Sequence, residues 1–252
     1  MQILLLCFLF MMTSIATASM AVASDVLDIA HRGYAAKNPE STLQAFQYAI
    51  ARGADGLELD IRQSSDKLLL VTHEPVIAEI GNQRVENTSS KLAFLRSDIP
   101  SLEEVIILAK RNRIPLWIEI KQSHLYPGII QRLLVLLQQY DYQSNVVIQS
   151  FNHQDLLKVY QTNPNISLLA LFSSGFQMSQ IPAFVELVGL PLSERYFDQA
   201  LVGALHEVGK GVIFWKQKTA LENSEVIRRF IAIGADGFIL DRPLADVLQD
   251  IQ

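Results

Sequence analysis

The sequence of 252 residues contains one cysteine, Cys7, and no stripe of clustered basic residues. Cys7 lies in an apolar N-terminal segment, so a chain that loses this segment folds without disulfides and depends on its hydrophobic core. The net charge of −5 and the lack of a basic stripe argue against a nucleic-acid partner. The sequence also has no internal repeat, low-complexity tract or linker, which indicates a single domain.

The apolar run at residues 3–12 is too short to span a bilayer comfortably. Small residues follow it, and Ala21-Val22-Ala23 fits a signal-peptidase cleavage pattern. We therefore predict a signal peptide over 1–23, a mature domain over 24–252, and export to the periplasm or the medium without a stable membrane span. No Lys or Arg precedes the run, which leaves an uncleaved membrane anchor or a wrongly assigned start as alternatives.

Half of the residues are hydrophobic, and from residue 26 onward short apolar runs alternate with longer patterns of helical period. Such runs of Val, Ile and Leu are typical of a parallel sheet covered by helices on both faces. Eight of them in a chain of this size predict an α/β protein with the (β/α)₈ TIM-barrel fold. We place the strands at 26–30, 55–61, 115–120, 145–150, 167–172, 184–188, 211–215 and 236–240, and helices at 40–52, 101–112, 126–140, 153–162, 195–209 and 221–233.

One connection breaks the alternation of strand and helix. In "LELDIRQSSDKLLLVTH", residues 57–73, the polar stretch is too short for a parallel crossover, so we predict an antiparallel β-hairpin. With Asp66-Lys67 as a two-residue turn, Asp60 faces His73. Residues 67–73 then form an extra hairpin arm after the second strand and leave the eight parallel strands intact.

Alternate residues on a strand share a face, and this rule separates polar from apolar sets. Glu58 and Asp60 share one face of the second strand, and Glu119 and Lys121 share one face of the third. The intervening apolar residues suit the helix layer. The polar sets must then point into the barrel near the carboxyl ends of the strands, where the active sites of such barrels lie.

This arrangement gathers three carboxylates, Glu58, Asp60 and Glu119. Carboxylates at close range cannot all stay ionised without a counter-charge. All three are hard oxygen donors, so we predict one divalent cation, Ca²⁺ or Mg²⁺. Taken alone, an E-x-D pattern on a strand is a weak signal, and Glu119 with Lys121 also fits a simple ion pair at a strand end.

Two imidazoles, His31 and His73, would flank the ion, and two cations, Arg32 and Lys121, would remain for an anionic group. A metal, an acid, a base and an anion clamp together suit phosphoryl chemistry. The alternative for the His-Arg-Gly stretch is a structural turn. Because each of these residues falls at a strand terminus on the polar side, we favour a site.

These residues belong to motifs that resemble the glycerophosphodiester phosphodiesterase family. The resemblance covers roughly 26–245 and is most specific in the first half. Its motifs, in order, are Ala30-His31-Arg32-Gly33, Pro39-Glu40-Ser41-Thr42, GADGLELD at 53–60, His73-Glu74, IPSLEEV at 99–105, Glu119-Ile120-Lys121, Ser150-Phe151, Trp215, and DGFILDRP at 236–243.

The resemblance implies a barrel that hydrolyses glycerophosphodiesters to glycerol 3-phosphate and an alcohol. It implies metal ligation by the three carboxylates and acid–base catalysis by His31 and His73. It assigns phosphate binding to Arg32 and Lys121, and Glu40 would lie close by, near the substrate. We also expect Trp215 to line the pocket, where its ring could pack against a choline-like cation.

Several positions depart from the family motifs, among them Ser41, Glu74, Leu240 and the Lys216-Gln217 pair after Trp215. They concern the pocket rim and therefore the substrate preference. The plain segment 74–98 predicts a compact lid, and we interpret Phe94 and Phe151 as packing residues.

Two alternative functions stay open at this stage. A phospholipase-D-like enzyme would act on lysophospholipids or sphingolipids with the same machinery, and the apolar "IPAFVELVGLPL" segment is compatible with it. A catalytically silent barrel would only bind phosphodiesters or a protein partner.

Overall fold

The computed structural model describes residues 26–80, 83–86, 98–173, 175–217 and 222–250. Cys7, Phe94 and the predicted signal peptide lie outside these residues. The strands are β1 (Leu27–Ala30), β2 (Gly56–Gln63), β3 (Leu69–Val71), β4 (Val76–Ile80), β5 (Gln83–Glu86), β6 (Leu116–Ile120), β7 (Val146–Ser150), β8 (Ser167–Leu171), β9 (Leu187–Pro191), β10 (Gly211–Trp215) and β11 (Gly237–Leu240). The helices are α1 (Leu43–Ala51), α2 (Leu102–Asn112), α3 (Ile129–Gln139), α4 (His153–Thr162), α5 (Gln199–Glu207), α6 (Ser224–Ala232) and α7 (Leu244–Gln249).

Eight of the strands form a closed parallel barrel, as the sequence predicts. Their order is β1-β11-β10-β9-β8-β7-β6-β2, and a direct β1–β2 pairing closes the ring. Closure leaves no exposed edge among these eight strands. The predicted TIM-barrel fold is therefore confirmed. The short α7, which follows the last strand, is an element that the sequence analysis did not predict.

The predicted hairpin arm is present, but its predicted register is wrong. β2 and β3 pair antiparallel with Ile61 opposite Val71, and the amide of Thr72 donates to Asp60 O at 3.0 Å. Asp60 therefore faces Thr72 and not His73. The loop has three residues, 65–67, because Lys67 adopts a left-handed φ of 75° and lets Ser64 pair with Leu68.

The strand predicted at 184–188 begins three residues later. Its pairing to β8 starts with Leu187 opposite Leu169, and Val185 is buried in the helix-facing core ahead of the strand. Glu186 lies between Val185 and Leu187, and its carboxylate accepts from the amide of Leu168 at 2.8 Å. Of the predicted lid, residues 76–80 and 83–86 form a separate two-stranded antiparallel sheet, while 81–82 and 87–97 lie outside the described residues.

Local sequence explains where the helices begin. In "IPSLEEV", the Ser101 hydroxyl accepts from the amide of Glu104, and the Glu104 carboxylate accepts from the amide of Ser101 at 2.8 Å. This reciprocal capping box satisfies two amides that the first turn of α2 would leave unpaired. The apolar stripe of the helix then packs on the barrel through Leu102, Val105, Ile106 and Ala109.

The core has two layers. The larger one lies between the barrel and the surrounding helices and takes the outward-facing residues of the strands, such as Leu57 and Ile118. The smaller one fills the barrel interior below the cavity and consists of Ile29, Trp117, Leu169, Leu171, Ile213 and Ile239. Because side chains fill the interior, a ligand cannot pass through the barrel and can bind only at the end where the carboxyl termini of the strands lie.

The turn after β1 depends on a glycine. Gly33 has a φ of +83°, and a Cβ there would lie 2.7 Å from Ala45 in α1. Only glycine combines this backbone conformation with so close an approach. The His31-Arg32 pair is thereby held against the barrel end. Among the described residues, no helix is both long and apolar enough to cross a membrane.

Candidate active site

An acidic cluster lies at the carboxyl ends of β2 and β6. Asp60 is the direct cross-strand neighbour of Glu119, and Glu58 lies two residues earlier on the inward face of β2. Each of the three offers a carboxylate oxygen, and these oxygens all lie within 4.8 Å of one another. All three residues are buried. Strand alternation therefore predicted this cluster correctly.

Burial and mutual repulsion shape the charges of the cluster. Burial, together with the Asp60 carboxylate, raises the pKa of Glu58 well above its ordinary value and that of Glu119 to about 8. Burial also acts to raise the pKa of Asp60, but Lys121 and Arg32 outweigh it and lower that pKa. Without a cation among them, the carboxyls of this cluster therefore resist full ionisation.

Two cations border the cluster. Arg32 Nε lies 3.1 Å from Asp60 Oδ2, and its Nη1 donates to Glu40 Oε2 at 3.0 Å. Lys121 Nζ lies 3.2 Å from Asp60 Oδ1 and 2.7 Å from Glu119 Oε1. Glu40 therefore reaches the site through the Arg32 guanidinium. Both cations have partly exposed side chains, so an anionic ligand can contact them from the cavity.

The donor set of the cluster fits a divalent cation. Both Asp60 oxygens are buried, and neither makes a hydrogen bond of good geometry with the described residues despite the two nearby cations. Three carboxylates of this kind are the ligands that Ca²⁺ and Mg²⁺ prefer. Glu58, Asp60 and Glu119 are thus the residues that could hold a metal ion.

His31 follows β1 directly and is held by a carboxylate from the other end of the chain. Its Nδ1 lies 2.6 Å from Asp241 Oδ1, and its Nε2 lies 4.0 Å from Glu58 Oε2. The second Asp241 oxygen lies 2.6 Å from Lys216 Nζ. Burial acts to raise the pKa of Asp241, but His31 and Lys216 outweigh it and lower the pKa to about 2. An ionised Asp241 orients the His31 ring.

His73 lies in the loop after β3. Its backbone carbonyl accepts from the buried Arg62 side chain at 3.0 and 2.8 Å, which fixes the loop. Its Nδ1 lies 2.8 Å from Glu74 Oε1. Burial lowers the pKa of His73, and Asp60 offsets this effect only in part, so the ring is neutral at neutral pH.

Except for the buried Asp60 and Arg62, these side chains line one cavity of about 820 Å³ at the barrel end. Part of its wall is aromatic: Phe151 and Trp215 pack edge to face with their ring centroids 5.5 Å apart, and Lys121 Nζ lies 6.0 Å from the centroid of the Phe151 ring. Trp215 lines the cavity as expected. The interpretation of Phe151 as a packing residue is wrong: its side chain lines the cavity and is 41% exposed.

Three residues that line the cavity have no assigned role in the sequence analysis: Asp241, Lys216 and Gln149. Asp241 belongs to the last family motif, and its position directly after β11 is the signal that could have identified it as a site carboxylate. Gln149 is an inward-facing polar residue in the apolar run "VVIQS". The alternation rule, which we used for the first three strands, would have identified it on this strand as well. Lys216 was noted only as a departure from the family motif.

The closed barrel, with an acidic cluster and cations around a cavity at one end, is the architecture of a TIM-barrel enzyme. The model of the glycerophosphoryl diester phosphodiesterase family matches residues 31–245, and the chain belongs to this family. The resemblance seen in the sequence is thereby confirmed.

Relatives and solved structures agree with this assignment. A glycerophosphodiester phosphodiesterase of Caldanaerobacter subterraneus subsp. tengcongensis is 30% identical over 234 residues, which are 86% of this chain and 94% of that protein. The mouse lysophospholipase D GDPD1 is 25% identical over 242 residues, 84% of this chain and 75% of that protein. The fold is similar to that of an Oleispira antarctica phosphodiesterase, whose structure was solved in complex with the product sn-glycerol-3-phosphate. The TM-score is 0.77 at 20% identity, and the match covers 89% of this chain and 97% of that chain.

Proposed function

We propose that the protein hydrolyses glycerophosphodiesters to glycerol 3-phosphate and an alcohol, with one divalent cation, Ca²⁺ or Mg²⁺, as cofactor. The observation that carries the proposal is that two imidazoles, an acidic cluster and two cations border a single cavity. The name of the Caldanaerobacter relative and the product bound to the Oleispira phosphodiesterase support the same substrate class.

The chain supplies most of the phosphate site by itself. Arg32 and Lys121 are held beside Asp60, so their charges lie at fixed positions next to the cavity. There they can bind the substrate phosphate and stabilise the charge that develops on its oxygens. A divalent cation held by the acidic cluster would polarise a phosphoryl oxygen as a Lewis acid.

The two imidazoles suit different steps of proton transfer. A neutral His73 can accept the proton of the attacking hydroxyl, which belongs either to the substrate's own glycerol or to water. His31, paired at Nδ1 with the ionised Asp241, can hold a proton and donate it from Nε2 to the leaving alkoxide. Each such transfer typically contributes about 10²–10⁴-fold to a rate.

The direct test is release of glycerol 3-phosphate from glycerophosphocholine by the purified protein. The assay is run with Ca²⁺, with Mg²⁺ and with a chelator, beside His31→Ala and His73→Ala. We expect metal-dependent release that either substitution abolishes. A folded protein that releases no glycerol 3-phosphate from any glycerophosphodiester with either metal would contradict the proposal.

A second candidate substrate class is lysophospholipids, on which the enzyme would act as a lysophospholipase D. Leu125, Phe151 and Met178 are exposed apolar residues in the segments that follow β6, β7 and β8, at the cavity end of the barrel. The mouse relative carries this activity in its name. Equal rates on lysophosphatidylcholine micelles and on glycerophosphocholine would favour this candidate, whereas activity on the soluble diester alone would exclude it.

We also propose export, with cleavage after Ala23 and a mature domain that begins at Ser24. The support is the apolar run at 3–12 and the small residues that follow it. Mass spectrometry of the protein purified from the medium or periplasm of an expressing cell would give the mature N-terminus. A retained residue 1 in a membrane fraction would show that the segment acts as an anchor.

A further inference from the structure

Gln149, near the end of β7, carries a polar atom that the proposed chemistry does not use. Its side chain is 1% exposed and lines the cavity. Its Nε2 donates to Glu58 Oε1 at 2.9 Å. Its Oε1 is buried and has no hydrogen-bond partner among the described residues. A buried amide oxygen without a partner is rare in proteins and calls for an explanation.

The orientation of this amide follows from its neighbour. The nitrogen and the oxygen of an amide lie on different sides of its carbon atom, so the donation from Nε2 to Glu58 Oε1 directs Oε1 elsewhere. The oxygen therefore does not face Glu58. In the sheet Gln149 lies between Glu119 of β6 and Leu169 of β8, and the cavity wall continues through Leu171 and Trp215. Gln149 therefore brings one acceptor without a partner among the described residues to the cavity wall.

The chemistry of an amide oxygen selects its ligand. The oxygen only accepts, and the oxygens of a phosphodiester also only accept, so the phosphate cannot pair with it. A hydroxyl can donate. The glycerol part of the proposed substrate carries two hydroxyls within a few bonds of the phosphorus, close to where Glu58 and His31 place the reaction.

We propose that Gln149 is a specificity-determining residue whose Oε1 accepts a hydrogen bond from a hydroxyl of the substrate's glycerol moiety. This inference rests on the proposed function. It gives the cavity a means to distinguish a glycerophosphodiester from a phosphodiester of an unsubstituted alkyl alcohol. Such discrimination arises because the phosphodiester of an alkyl alcohol has no hydroxyl to donate and would leave the buried oxygen of Gln149 unpaired.

The test compares two ligands of the same carbon skeleton, sn-glycerol 3-phosphate and propyl phosphate. Their dissociation constants are measured by calorimetry on the purified protein with the metal that supports activity. We expect the wild type to bind glycerol 3-phosphate about 3- to 10-fold more tightly, the worth of one neutral hydrogen bond. A wild-type ratio near 1 would overturn the proposal without any variant.

Gln149→Met keeps the size of the side chain and removes the acceptor, so the ratio should fall to about 1 while propyl phosphate binding changes little. Gln149→Asn, which withdraws the amide by one methylene group, is the second variant and should lower the ratio as well. Gln154→Met, the same change at an exposed position of α4, is the matched control and should keep the wild-type ratio.

Two results would assign Gln149 to other roles and overturn the proposal. An equal loss of both ligands in the variants would mean that the residue acts only through Glu58. An unchanged ratio in a folded variant would mean that another group binds the hydroxyl. A wild type that neither binds nor releases glycerol 3-phosphate would instead refute the proposed function.

Discussion

The pair formed by His31 and Asp241 offers the sharpest test of the site. Asp241→Asn keeps the shape of the side chain and an oxygen that can face Nδ1, but it removes the negative charge. The structure gives this charge two partners, His31 at 2.6 Å and Lys216 at 2.6 Å. A protonated His31 would lose its anionic neighbour, and Lys216 would face a neutral amide.

The size of the effect follows from the geometry. A hydrogen bond to a charged group contributes about 1.5–3 kcal/mol. If His31 must carry a proton as it acts, most of this energy is lost at the transition state, which corresponds to about 10- to 150-fold in rate. We expect kcat to fall by this factor. KM should change little, because Asp241 makes no direct contact with the phosphate-binding cations Arg32 and Lys121 among the bonds described.

The assay is steady-state hydrolysis of glycerophosphocholine at saturating metal, with a thermal melt for each protein. Asp236→Asn is the matched control, because Asp236 lies at the other end of β11 and pairs with His206 at 2.8 Å, outside the cavity. Its activity per folded molecule should equal that of the wild type. If Asp241→Asn also keeps kcat within twofold, Asp241 does not support the acid step, and the assigned role of His31 is wrong.

Three further outcomes are expected. Glu119→Gln should weaken metal binding in calorimetry, since the cluster would lose one of three anionic donors. A chelator should abolish wild-type activity reversibly. Gly33→Ala should lower the free energy of unfolding by about 1–3 kcal/mol in urea, because its Cβ would meet Ala45 at 2.7 Å; an unchanged midpoint would contradict the turn geometry. Burial raises the pKa of Asp28 to about 6, so its contribution to stability is complete below the unfolded pKa and is lost as pH rises through about 6, by up to about 3 kcal/mol. Asp28→Asn, which can still accept from the amide of Leu244, should therefore raise the melting temperature relative to wild type at pH 7.5 but not at pH 4.

Strand periodicity in the sequence was sufficient for the barrel and for much of the site. Glu58 and Asp60 alternate with Leu57 and Leu59, and only one of these faces can meet the apolar helix layer. The carboxyl ends of parallel strands lie at the same end of a barrel, so Glu119 had to join them. These inferences need only local alternation and the rule of parallel closure, both of which a sequence carries.

Backbone conformations that do not depend on the type of side chain could not be predicted from the sequence. Lys67 takes a left-handed conformation, which glycine or asparagine would have signalled and lysine does not. The loop therefore gained one residue, and Asp60 came to face Thr72. A register shift of one residue changes the cross-strand partner of every residue in the strand. The predicted pairing of Asp60 with His73 is therefore wrong.

The sequence by itself determined the class of fold, the inward position of the acidic cluster and the position of Lys121 beside it, because each follows from short-range periodicity. Only the tertiary structure decided which carboxylate holds His31. Asp241 lies 210 residues further along the chain, and the two meet because β1 pairs with β11 in a register that sets Ala30 opposite Leu240. That register depends on closure of the whole ring. The contact between the Asp241 carboxylate and the His31 imidazole therefore depends on the packing of all eight strands and not on a local sequence pattern.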